Sequence, residues 1–138
     1  MKIFMEFKNE YLNFNIELIQ LETNILGQWV KVDEFMVDDT FTFWQTGKVY
    51  DSIEGALEYI RILSNCKSET EVKFYRWCEE HRVKEGTIIQ FEDETKGIIL
   101  GSDYAVDCLK YSPIKKDGSP SKLKRNLYGN LKYKIVKY

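Results

Sequence analysis

Apolar and polar residues alternate over residues 13–21. Phe14, Ile16 and Leu18 are separated by Asn15 and Glu17, the period-two signature of a strand with one buried face. A turn at 24–27 leads into a second predicted strand, 29–37. Asp38-Asp39 then reverses the chain into a third, the aromatic and β-branched run 40–45. Residues 1–12 are compatible with a strand or a short helix. The period changes at residue 50: Ile53, Ala56, Leu57, Ile60 and Leu63 recur at three- and four-residue spacing, one apolar stripe of a helix over 50–64. Asp51, with Glu54 three residues on, has the spacing of a capping box. Residues 13–64 therefore read as an antiparallel meander with a helix laid across it.

Ser68 and Glu71 repeat the capping spacing and open a second helix to residue 82, whose apolar positions Val72, Phe74, Tyr75, Trp77 and Cys78 form a broad aromatic face. Residues 67–83 carry none of the Gly, Ser or Pro richness of a flexible linker, so a stiff connector is expected there. Beyond it, Thr87 to Phe91 and Gly97 to Leu100 flank a charged turn, the pattern of a hairpin. Alternation resumes over 104–111 and ends at Pro113. A lysine-flanked loop at 114–124, containing Asp117-Gly118-Ser119-Pro120-Ser121, is expected to be the least ordered stretch. Residues 130–138 close the chain as a strand.

The order of elements in 84–138 (short opening strand, charged turn, glycine-flanked hairpin, basic loop, closing strand) resembles an SH3-like β-barrel, which implies a binding module. The expected fold class is α+β, with a β-β-β-α domain at 1–66, a connecting helix at 67–83 and an SH3-like barrel at 84–138.

A chain of 138 residues can bury most of its apolar surface without metal or disulfide. Its three cysteines, Cys66, Cys78 and Cys108, are widely spaced and odd in number, as in a reduced intracellular protein. No run approaches the roughly 20 apolar residues of a membrane span, and charge interrupts the N-terminus, so a cytoplasmic location without membrane partners is expected. Net charge is −2 but uneven. Residues 1–83 hold 9 basic against 15 acidic side chains (−6), whereas residues 84–138 hold 11 against 7 (+4).

No motif specifies a reaction. Cys66, Cys78, His81 and Cys108 offer zinc donors, but without the spacing of a compact zinc knuckle. Glu71-Val72-Lys73 has the spelling of a restriction-type nuclease core, yet it opens a helix where that chemistry needs a strand. The carboxylates Asp38, Asp39, Asp103 and Asp107 lie in apparent loops or strand ends and read first as turn formers. With a single histidine and no phosphate-binding loop, the expectation is a protein that is not an enzyme and that carries no cofactor.

Two binding readings remain. In the first, acidic side chains of the N-terminal part, Asp33, Glu34, Asp38, Asp39, Glu54 and Glu58 among them, face a basic protein that handles nucleic acid and compete with phosphate for it. In size and two-part character the chain is similar to accessory proteins of phages and mobile elements. Anti-CRISPR and other anti-defence inhibitors are of that type, and the resemblance implies a non-catalytic inhibitor acting on a host or competitor protein. In the second, Lys115, Lys116, Lys122, Lys124, Arg125, Lys132 and Lys134, interleaved with Tyr128 and other tyrosines, bind nucleic acid or an acidic partner. The plainer account of each set is a solvated face.

Overall fold

The computed structural model describes residues 3–41 and 49–138, which divide into two compact units, 1–69 and 70–138. The protein is α+β, with two helices and two antiparallel sheets among the described residues.

The first unit is a meander of β1 (Ile3–Asn9), β2 (Phe14–Ile25) and β3 (Gln28–Asp39), in that spatial order. The ambiguous N-terminal stretch is thus the first strand, pairing from Ile3↔Ile19 to Asn9↔Phe14. The predicted third strand lies largely outside the described residues: Thr40 and Phe41 form a turn, and 42–45 are not described. The alternation in β2 has the expected outcome, with Phe14, Ile16 and Leu18 buried. Helix α1 (Ile53–Asn65) packs on this sheet through Ala56, Ile60 and Leu63 of the expected stripe. Tyr59 is buried with them, stacked 6.3 Å from Tyr50. The helix begins one residue later than the capping-box spacing implied. Ser52, in extended backbone, accepts from the Gly55 amide at 3.2 Å, while Asp51 lies outside the helix and exposed.

In the second unit, α2 (Glu69–His81) contributes Phe74 and Cys78 to a core that also contains Val83, Ile89, Ile99, Leu109 and Leu127. The sheet comprises β4 (Ile88–Phe91), β5 (Lys96–Ile99), β6 (Lys110–Pro113), β7 (Arg125–Asn126) and β8 (Tyr133–Lys137), in the order β7-β6-β5-β4-β8. The β4–β5 hairpin forms as expected, from Ile88↔Ile98 to Gln90↔Lys96.

The barrel does not form. Strands β7 and β8 occupy opposite ends of the sheet, and among the described residues neither sheet closes on itself. Closure needs end strands long enough to pair. Strand β7 supplies only two rungs, Lys110↔Asn126 and Tyr111↔Arg125, before the chain turns away. The strand expected at 104–111 is also shortened: residues 102–104 make a 3-10 turn, and pairing starts only at Lys110. Its alternation was misleading because Ala105 and Leu109 are buried as loop anchors. The basic loop, by contrast, is well tied. Ile114 bridges Pro120, the Ser121 amide donates to the Pro113 carbonyl at 2.7 Å, and Ser112 Oγ donates to the Ser121 carbonyl at 2.5 Å. The Asp117 carboxylate accepts from the amide and hydroxyl of Ser119, which draws its pKa below the ordinary range.

Candidate functional site

Two features expose groups that a solvated face does not require. The first is the distal half of the β2–β3 hairpin. Among the described residues, β1 pairs with β2 as far as Ile19, and the pairs from Glu22↔Lys31 to Ile25↔Gln28 form a two-stranded arm beyond them. A bulge at residues 32–34 of β3, opposite Leu21, separates the arm from the buried part of the sheet, and the Gln20 side-chain amide donates to the Val32 carbonyl there at 3.0 Å.

At the tip of the arm, Leu26 (φ 51°) and Gly27 (φ 84°) both have positive φ, as in a type I′ hairpin turn. Asn24 Oδ1 accepts from the Gly27 amide at 2.9 Å and steadies the turn. Such turns favour Asn or Asp before the glycine, because leucine in the left-handed region strains its Cβ against the backbone. Here that position holds a leucine that is 100% exposed, beside Trp29 at 69%. Ile25 and Val30 are exposed on the other face of the same arm.

The predicted acidic residues divide unequally. Asp33 and Glu34 are exposed at the base of the arm. Asp38 is half-buried, and Asp39 is only 6% exposed at the end of β3, so it is no part of an open acidic surface. Strand pairing with Ile16 places it there, a constraint that charge counting does not register. Glu54 and Glu58 are exposed on α1, and Glu58 is 3.6 Å from Arg61.

The second feature is a cleft of about 440 Å³ in the second unit. Ile98 and Leu100 contribute apolar lining, and the tied segment ending in Lys122, Leu123 and Lys124 forms one wall. Tyr104, carried into the lining by the 3-10 turn, is 41% exposed and Leu123 57%. The Lys124 ammonium lies 4.1 Å from the centre of the Tyr104 ring. The Glu85 carboxylate lies against Gly101, where a Cβ would sit 2.7 Å from Oε1.

Of the predicted basic residues, Lys122 and Lys124 line this cleft. Arg125 is exposed on β7, and Tyr128 is exposed with its hydroxyl accepting from the Asn126 amide. Lys115 and Lys116 are exposed in the tied turn. Lys132 and Lys134 belong elsewhere, lining a smaller hollow of about 370 Å³ at the β8 end of the sheet together with Glu92 and Glu94, which balance their charge. The structure thus splits the basic set between the two ends of one sheet.

Sequence reasoning missed Tyr104, Leu123, Leu26 and Trp29. Only the Leu26-Gly27 pair carried a local signal, as an apolar residue in a turn that prefers Asn-Gly.

The other chemical candidates gain no geometry. Among the described residues no group of three or more His, Cys, Asp or Glu is placed to hold a metal ion. His81 Nδ1 lies 2.9 Å from the Trp77 carbonyl, a group that only accepts, so the proton is on Nδ1. Burial, with Glu79 and Glu85 nearby, pushes the Cys78 thiol up to about 12, away from the reactive range. The Glu71-Val72-Lys73 triplet lies on helix α2 with Val72 buried. No helix of the described residues is long and apolar enough to cross a membrane. No family model, curated protein or solved structure matches the chain.

Proposed function

We propose that this protein is a non-catalytic binding protein whose first unit docks the β2–β3 arm into an apolar pocket on a partner protein. The observation that carries this reading is Leu26, fully exposed in a left-handed conformation beside exposed Trp29. That conformation costs about 1–2 kcal/mol for a residue other than glycine. A side chain of this size recovers roughly 1.5–3 kcal/mol when fully buried. The balance turns favourable only when the tip enters a pocket, and tryptophan is among the side chains that most often anchor such contacts.

Charge narrows the partner. Glu22, Asp33 and Glu34 outnumber Lys31 on the arm and its base, so a pocket rimmed by lysine or arginine fits better than an acidic one. A nucleic-acid-processing protein has such a rim, and an inhibitor of the phage or mobile-element anti-defence type would work by filling it. A cytoplasmic setting follows from that class of partner. The second unit offers a separate binding surface, a loop-walled cleft on an open sheet.

The test is affinity capture from an extract of cells in which the protein is native, comparing the full chain with Leu26→Asn and Trp29→Ala. A basic protein held by the unaltered chain should fall at least tenfold with either variant. Equal recovery across all three would overturn the reading, as would retention only through self-association, seen by light scattering.

A further inference from the structure

We propose that the cleft of the second unit binds single-stranded nucleic acid, stacking one base on Tyr104 and neutralising flanking phosphates with Lys122 and Lys124. This is independent of the arm.

The cleft has the parts such a ligand needs. Its volume of about 440 Å³ falls in the roughly 300–1,000 Å³ range of small-ligand sites. Its lining is apolar at Ile98, Leu100 and Leu123, and a flat ring faces it from Tyr104. The wall is built in advance: the Leu123 amide donates to Ser121 Oγ at 3.1 Å, and Ser121 is held by Pro113 and Ser112. A preformed wall reduces the ordering cost of binding.

The cation–π contact identifies the occupant. Lys124 rests over the Tyr104 ring, 4.1 Å from its centre, on the kind of surface a base covers. An exposed contact of that kind is weaker than base–aromatic stacking, so an arriving base displaces the ammonium. The displaced lysine is then at hand for the adjoining phosphate, and Lys122 supplies the second charge. Among the described residues Glu85 is the one carboxylate in the lining, and it serves as an acceptor for an N–H on the base edge. A duplex keeps its bases stacked on each other and cannot offer one to the ring.

The experiment is fluorescence anisotropy of the full chain with labelled oligo(dT) and oligo(U), over a salt series, against a duplex of equal length. Tyr104→Ala should weaken single-strand binding roughly fivefold to a hundredfold, the range for one lost stacking contact. Tyr104→Phe should restore it to within about twofold. Each of Lys122→Gln and Lys124→Gln should reduce the slope of log affinity against log salt by about 0.7. Lys132→Gln with Lys134→Gln, at the balanced hollow, should leave affinity within about twofold. Binding of DNA alone or RNA alone, with these variant effects, would support the site and name the source. The proposal is overturned by no binding at low salt, by equal binding of the duplex, by indifference to Tyr104→Ala, or by equal competition from polyglutamate of matched charge.

Discussion

Asn9 donates its side-chain amide to the Leu63 carbonyl at 2.7 Å, and to the Cys66 carbonyl at 2.8 Å, while its own Oδ1 accepts from the Leu12 amide at 2.9 Å. The residue is fully buried, so one side chain ties the end of β1 to the C-terminus of α1 and shapes the turn into β2. The Leu63 carbonyl at the helix end accepts only a long bond, 3.4 Å, from the Cys66 amide, and Asn9 adds shorter ones whose loss in the interior is costly. Asn9→Ala should therefore destabilise the first unit by about 2–4 kcal/mol, measured as a lower urea midpoint. Asn9→Asp should be at least as damaging, since a carboxylate cannot donate to either carbonyl.

A second close relationship sits in the other unit. A Cβ on Gly97 would lie 2.6 Å from Tyr111 Cδ2, and Phe91 braces that ring at 5.1 Å between centroids. Gly97→Ala should cost about 1–3 kcal/mol by overpacking. Adding Tyr111→Leu should recover part of the loss, giving a coupling of about 1 kcal/mol or more in a double-mutant cycle.

The Cys78 thiol predicts an alkaline weakness. Its folded-state pKa is raised from 9.0 to about 12, chiefly by burial, so the unfolded chain ionises first as pH rises. The associated stability is complete below pH 9 and is lost progressively between about 9 and 12. Urea melts of the unaltered chain at pH 8 and pH 10.5 should diverge more than those of Cys78→Ala. In the folded state a thiol reagent should modify Cys108, which is half-exposed, well before the buried Cys66 and Cys78.

Leu26 predicts an opposition between stability and binding. Leu26→Asn places a favoured residue in the left-handed position and should raise stability by about 0.5–1 kcal/mol. The same change removes the apolar tip and should reduce partner capture. A thermal melt read beside the capture assay checks both directions at once, and a variant that lost stability would contradict the strain assigned to the turn.

Local pattern was enough for several elements. The alternation of Phe14, Ile16 and Leu18 specified a strand and its buried face, because side-chain direction in a strand depends only on parity. The stripe of Ala56, Ile60 and Leu63 specified α1 and its packing side. The β4–β5 hairpin was legible for the same reason, being a contact between near neighbours. The cap was missed by one position because Asp51 and Ser52 are both competent caps, and the choice rests on the backbone conformation that Ser52 adopts.

Residue types along the chain determined two helices, strands β2 and β3, the β4–β5 hairpin, the closing strand and a basic C-terminal stretch. Tertiary structure alone decided which groups meet. Tyr104 reaches Lys124 across twenty positions, Asp39 is buried by pairing with Ile16, and Lys132 and Lys134 stand at the far end of the sheet beside Glu92 and Glu94. Periodicity encodes which face of an element is apolar, but not which elements become neighbours. Strand order is set by long-range pairing whose cost and reward no local window contains. The open sheet, the cleft and the two-stranded arm are all consequences of that order.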